Sequence, residues 1–108
     1  MNRWAGLQDV DRVVHEPARL MILGLLTSCG QADFVFLVNE TGLSKGNLSS
    51  HLIKLEEAGY VSIEKTFRGK VPLTMARITK TGRTALLRYR KVLLEVLTLD
   101  AVVSPQPV

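Results

Sequence analysis

From Asp33 to Tyr60 the chain reads DFVFLVNETGLSKGNLSSHLIKLEEAGY, and the punctuation of this stretch organises the rest. Asp33 is placed to cap a helix carrying Phe34, Phe36, Leu37 and Val38, and Gly42 supplies a left-handed stop after Thr41. Ser44 is the next cap, and Gly59 ends the second helix just past Ala58. Between them Leu48, Leu52 and Leu55 fall four and three residues apart and share one helical face. Lys45, Gly46, Ser49, Ser50, Ile53 and Lys54 take the opposite face, with Asn47 on its flank.

An apolar stripe with a polar back is what any surface helix shows. The composition of this polar back is less ordinary. Gly46, Asn47, Ser49 and Ser50 are weak helix formers where a solvated face prefers Glu, Lys, Arg and Ala. Acidic groups are absent until Glu56 and Glu57. Small hydrogen-bonding residues between two lysines suit entry into a narrow polar groove. The stretch therefore reads as a helix-turn-helix whose second helix, 45–58, is shaped for the DNA major groove. A plain solvated helix is the alternative.

At 108 residues the chain has room for one domain, expected over 1–103, with 104–108 (Ser-Pro-Gln-Pro-Val) as a disordered tail. The formal charge of +4 is unevenly spread. Residues 1–63 hold five basic and seven acidic groups, a net of −2. Residues 64–91 hold nine basic groups (Lys65, Arg68, Lys70, Arg77, Lys80, Arg83, Arg88, Arg90, Lys91) against Glu64, a net of +8. Such a block points to a polyanion, nucleic acid ahead of membrane. Cys29 is the single cysteine, so no intramolecular disulfide forms, and a reducing, cytoplasmic setting fits. The run Leu20 to Leu26 is too short to span a bilayer.

Upstream, Leu7, Val10, Val13 and Val14 predict a short helix that stops before Pro17. Pro17 opens a greasy helix from Ala18 to about Ser28, which belongs in the middle of the domain. After Gly59 the period turns to alternation: Tyr60 to Phe67 as a strand, Arg68-Gly69-Lys70 as a turn, Val71 to Ile78 as the return. Pro72 marks the second strand as an edge or exposed segment. Arg68 and Lys70 make the tip of the hairpin, 67–71, a candidate wing over the phosphate backbone or minor groove. Thr79 then caps a long helix to about Leu99, basic first and apolar later. Leu86, Tyr89, Leu93, Val96 and Leu97, with Trp4, Leu7 and Val10 from the other end, read as a homodimer interface; folding back on the same domain is the alternative.

Nothing here suggests catalysis. Ser50 and His51 are helical neighbours that do not face each other, so they form no nucleophile–base pair. His51 points to the leucine side as a half-buried packing residue, and His15 has no partner at metal-ligand spacing. No cofactor is expected.

The residues His15-Glu16-Pro17-Ala18-Arg19, Gly46-Asn47-Leu48-Ser49-Ser50-His51-Leu52, Leu55 to Val61, and Ile78-Thr79-Lys80-Thr81-Gly82-Arg83 resemble the winged-helix transcriptional regulators of the MarR and ArsR type. The resemblance covers roughly residues 7–97 and is closest to their compact, single-domain branch. It implies a mainly α fold with a small β-hairpin, in the order α-α-α-α-β-β-α. It further implies DNA contacts from Ser44, Lys45, Gly46, Asn47, Ser49, Ser50, Lys54, Arg68 and Lys70, with dimerisation through the first and last helices. The implied partners are double-stranded DNA and a second copy of the chain, with no membrane; any small-molecule effector is left open. The paired cysteines of metal-sensing members are missing, so metal regulation does not carry over. A winged-helix protein–protein interaction module that never reads DNA is the rival reading, since no arginine lies on the recognition face.

Overall fold

A computed structural model describes residues 3–97. The expected tail at 104–108, and the last residues of the final helix at 98 and 99, lie outside that range. Pro17–Cys29 forms α1, the central helix, with Ile22, Leu23 and Leu26 completely buried. Its cap is Glu16, whose carboxylate accepts from the Arg19 backbone N–H at 2.8 Å. Gln31–Asp33 forms β1, Phe34–Thr41 α2 and Lys45–Glu57 α3. Val61–Arg68 and Val71–Ile78 form β2 and β3, and Lys80–Val96 forms α4. The caps predicted from sequence are made: Asp33 accepts from Phe36 N at 2.8 Å, Ser44 from Asn47 N at 3.1 Å, and Thr79 from Gly82 N at 3.0 Å.

Two expectations are corrected. The segment 7–14 is not an α-helix. A 3-10 helix spans Arg3–Leu7, and turns carry the chain on to Pro17. Asp11 explains the change, because its carboxylate binds the N–H groups of Val13 and Val14 at 2.9 and 3.2 Å, a local closure that competes with helix. Val10 and Val14 still enter the core, from a loop.

The second correction is β1, which the sequence reading did not anticipate. It pairs antiparallel with β3 through Gln31↔Arg77, Ala32↔Ala76 and Asp33↔Met75, so the sheet has three strands in the order β1-β3-β2. The strand carrying Pro72 is therefore central rather than an edge, although Pro72 itself lies in its exposed outer part. Proline is tolerated because β1 reaches only residues 75–77, and at Pro72 the strand has β2 alone as neighbour.

The core gathers α1, the leucines of α3 (Leu48, Leu52, Leu55), Leu37, Ala32, Val61, Ala76, Ile78, Ala85 and Tyr89. The first turn of α4 sits on the chain just after α3. Thr79 donates its N–H to the Tyr60 carbonyl at 3.0 Å and its hydroxyl to the Gly59 carbonyl at 2.6 Å. Gly82 lies so close that an added Cβ would stand 2.1 Å from the Tyr60 oxygen.

Tyr60 also ties the N-terminal loop to this junction by donating its hydroxyl to Asp11. That hydrogen bond, then partial burial and the Asp11 charge, push the phenol up to about 12 against the pull of Arg88. A pKa raised by folding contributes stability in full below the unfolded value near 10 and loses it as pH climbs toward 12. Unfolding followed from pH 9 to 12 is expected to show a stability loss in the native chain that Tyr60→Phe does not share. Equal slopes in the two proteins would disprove the linkage.

Candidate nucleic-acid interface

In α3 the leucine face is inside and every residue expected on the outer face is exposed: Lys45, Gly46, Asn47, Ser49, Ser50, Ile53 and Lys54, with the cap Ser44. His51 is half-buried between the two faces. Arg19 donates from Nη1 to His51 Nδ1 at 3.1 Å and from Nε to the Val13 carbonyl at 2.6 Å, pinning α3 to α1 and the N-terminal loop. Glu16 stands 3.6 Å from the same ring nitrogen, but arginine can only donate, so in this arrangement Nδ1 accepts and the imidazole proton is on Nε2. Burial acts to raise the Glu16 pKa. The N–H groups of Arg19 and Ala18 and the positive charge of Arg19 outweigh it, and the carboxyl sits below its ordinary value. Thus His15, Glu16 and Arg19 are framework residues: His15 shares a hydrogen bond of 2.8 Å with the Tyr89 hydroxyl, Glu16 caps α1, and Arg19 ties α3 to it.

The hairpin runs beside α3. The pairing of β2 with β3 is unbroken from Val61↔Ile78 to Arg68↔Val71, so side chains alternate cleanly between two faces. One face carries the pairs Ile63/Ala76, Lys65/Thr74 and Phe67/Pro72. Ile63, Lys65 and Thr74 share an open cleft of about 390 Å³ with Ser49, Ile53 and Glu56, so this is the face turned to α3. Lys65 is thereby placed beside α3. From the sequence Lys65 reads as a strand residue within the basic block, with no site assigned to it. Its signal was present, an outward lysine two residues before the wing, but its side could not be chosen without the register.

Arg68 falls on the other face. Its guanidinium reaches to 4.0 Å from Asp33, and with the arginine side chain 76% exposed this pair holds it weakly. Gly69 and Lys70 make the two-residue turn, with the positive φ of 61° taken by the glycine. The net +8 block does not form one patch: Arg77 donates to Gln31 at 2.8 Å, Arg88 lines a cavity with Asp9 and Asp11, and Arg90 lines an apolar groove on α4. Consecutive basic residues were dealt to different faces by the strand and helix periods.

The residues expected at a subunit interface divide in the same way. Val10 and Tyr89 belong to the chain's own core and Val96 is buried, although an edge of Tyr89 still lines the groove on α4. Leu86, Leu93 and Leu97 do line a groove of about 410 Å³ with Leu20 and Leu94. Trp4 is half exposed, and the 3-10 helix bearing it and Leu7 lies on α4, with Gly6 against Val92. Cys29 is exposed. Among the described residues no group of three metal-ligating side chains converges, and no helix is long and apolar enough to cross a membrane.

Residues 18–97 match the family described as a winged helix DNA-binding domain. The chain belongs to that family. An uncharacterized protein of Methanocaldococcus jannaschii is 37% identical over 79 residues, covering 72% of this chain and 85% of that protein. A transcriptional regulator homologue from Pyrococcus horikoshii OT3 superimposes with a TM-score of 0.83 at 27% identity, over 91% of this chain and 99% of the other. The transcriptional regulator BldR from Sulfolobus solfataricus shares the fold at 22% identity with a TM-score of 0.61, over 94% of this chain and 69% of BldR. The family match includes all of α3 and the hairpin, which build the exposed face described above, and all of α4.

Proposed function

We propose that this protein is a homodimeric, sequence-specific regulator of transcription, with α3 in the major groove and the hairpin over the adjoining backbone. The observation that carries this reading is the outer face of α3. It is slim, polar and free of carboxylates through its first three turns, and it is held by a leucine-lined inner face that cannot rotate away. In this reading Asn47, Ser49 and Ser50 meet base edges, while Lys45, Lys54, Lys65, Arg68 and Lys70 hold phosphates. Family membership and the regulators among its structural neighbours support it.

Selection of bound sequences from a random duplex pool is the test. A pseudo-palindromic consensus is expected, with half-sites about 34–36 Å apart or a multiple of that spacing. Recovery of no consensus, together with binding indifferent to salt, would favour the rival interaction module instead.

The dimer reading rests on the α4 groove. Leu87, Leu94 and Leu97 are each more than half exposed, a large apolar surface to leave in water. Leu94→Glu is expected to leave the fold intact and convert the dimer to monomer in sedimentation at several concentrations. A wild-type chain that sediments as a monomer throughout would end this part of the reading.

A further inference from the structure

Phe67 is 67% exposed at the end of β2, and Val71, next to the turn, is 64% exposed. A large aromatic group held in water at the tip of a hairpin gains nothing for the fold, since burial of apolar area is what stabilises. Its position is defined by the register. Phe67 and Pro72 are cross-strand partners and lie on the face of the hairpin that fronts α3, outward of the pair Lys65/Thr74. Lys65 comes two residues before Phe67 on the same face, and Lys70 sits in the turn beyond it. The outer half of the hairpin is free of β1, which pairs only with residues 75–77, so the tip projects from the body of the domain.

We infer that Phe67, backed by Pro72, is an apolar wedge that enters the DNA minor groove beside the α3 contact and partly unstacks a base step. This rests on the reading of α3 as the major-groove helix and extends it. The flanking lysines select the occupant: an apolar tip between two cations suits a polyanion with an apolar interior, and stacked bases behind phosphates are that. A phenyl ring has no donor or acceptor to read base edges. What it selects is a step that opens easily, above all TA and CA/TG, and the unstacking cost is offset by the wider contact that a bent duplex allows. Specificity then has a component at positions that no polar side chain of the protein touches.

The test uses the full chain and a short duplex with a central TA step, 2-aminopurine in place of the central adenine, and fluorophores on both ends. Wild-type protein is expected to raise the 2-aminopurine emission and bring the duplex ends closer. Phe67→Ala, at an exposed position that leaves the fold unchanged by circular dichroism, is expected to bind with the same salt slope while losing both signals; Phe67→Trp is expected to keep them. Wild-type binding without unstacking or bending would overturn the wedge and leave the DNA reading standing. Absence of any duplex binding would overturn both. Loss of self-association by Phe67→Ala in DNA-free sedimentation would show the ring to be a protein contact and overturn the wedge.

Discussion

Gly82→Ala is expected to destabilise the protein by about 1–3 kcal/mol, the usual range for forcing a methyl group into a packed site. Helix propensity alone predicts the opposite sign, because alanine is better than glycine in a helix by about 1 kcal/mol. The geometry decides between them. The new Cβ would stand 2.1 Å from the Tyr60 oxygen and 2.9 Å from its carbonyl carbon and Cα, all backbone atoms that no rotamer change can move aside. Relief requires α4 to lift from the Tyr60 carbonyl, stretching the hydrogen bond from Thr79 N. For a domain of this size each kcal/mol corresponds to about 4–8 °C in Tm. Gly46 is the matched control. It also lies in a helix, but a Cβ there meets nothing within 4 Å, so Gly46→Ala is expected to hold or raise the urea midpoint. A Gly82→Ala protein more stable than wild type would mean that α4 does not rest on Tyr60 as described.

The second large effect concerns the division between base reading and phosphate holding. Asn47→Ala is expected to cost about 1–3 kcal/mol on the preferred site and to blur the preference at one base position. Lys65→Ala is expected to weaken all duplexes alike and to lower the salt slope by about one. Both residues are exposed, so neither change removes a core contact and the comparison is one of binding alone. Titrations at several salt concentrations on preferred and scrambled duplexes separate the two. If both variants lost affinity equally on every sequence, with equal changes in slope, the base-reading assignment would fail. A null effect of Lys65→Ala would instead remove the hairpin face from the interface.

The helices and turns were legible because their signals are local. Asp33, Ser44 and Thr79 cap within three residues of themselves, and the leucine spacing of α3 needs no knowledge of what covers it. The hairpin was read for the same reason, from alternation around Gly69. The failures share a different cause. The segment 7–14 has helical spacing, but the Asp11 side chain takes its backbone donors and then anchors to Tyr60, a partner 49 residues away. Strand β1 is three residues long and exists only because β3 lies beside it. Tyr89 reads as part of an apolar stripe, but most of its ring is taken up by His15 and the core and only an edge of it reaches the α4 groove.

By itself the sequence determined the order of the four helices from Pro17 onward and of the hairpin, the capped ends of those helices and the slim outer face of α3, because propensity, capping and periodicity act over a few residues. Only the tertiary structure decided which face of the hairpin turns toward α3, and with it the placing of Lys65 and Phe67 on one side and Arg68 on the other. That choice is made by strand register, and the register is fixed by which alternate residues, Val61, Ala76 and Ile78 among them, are buried against helices distant in the chain. The same burial scattered a contiguous run of positive charge over several surfaces, because charge in the sequence is a line and charge on the protein is a map.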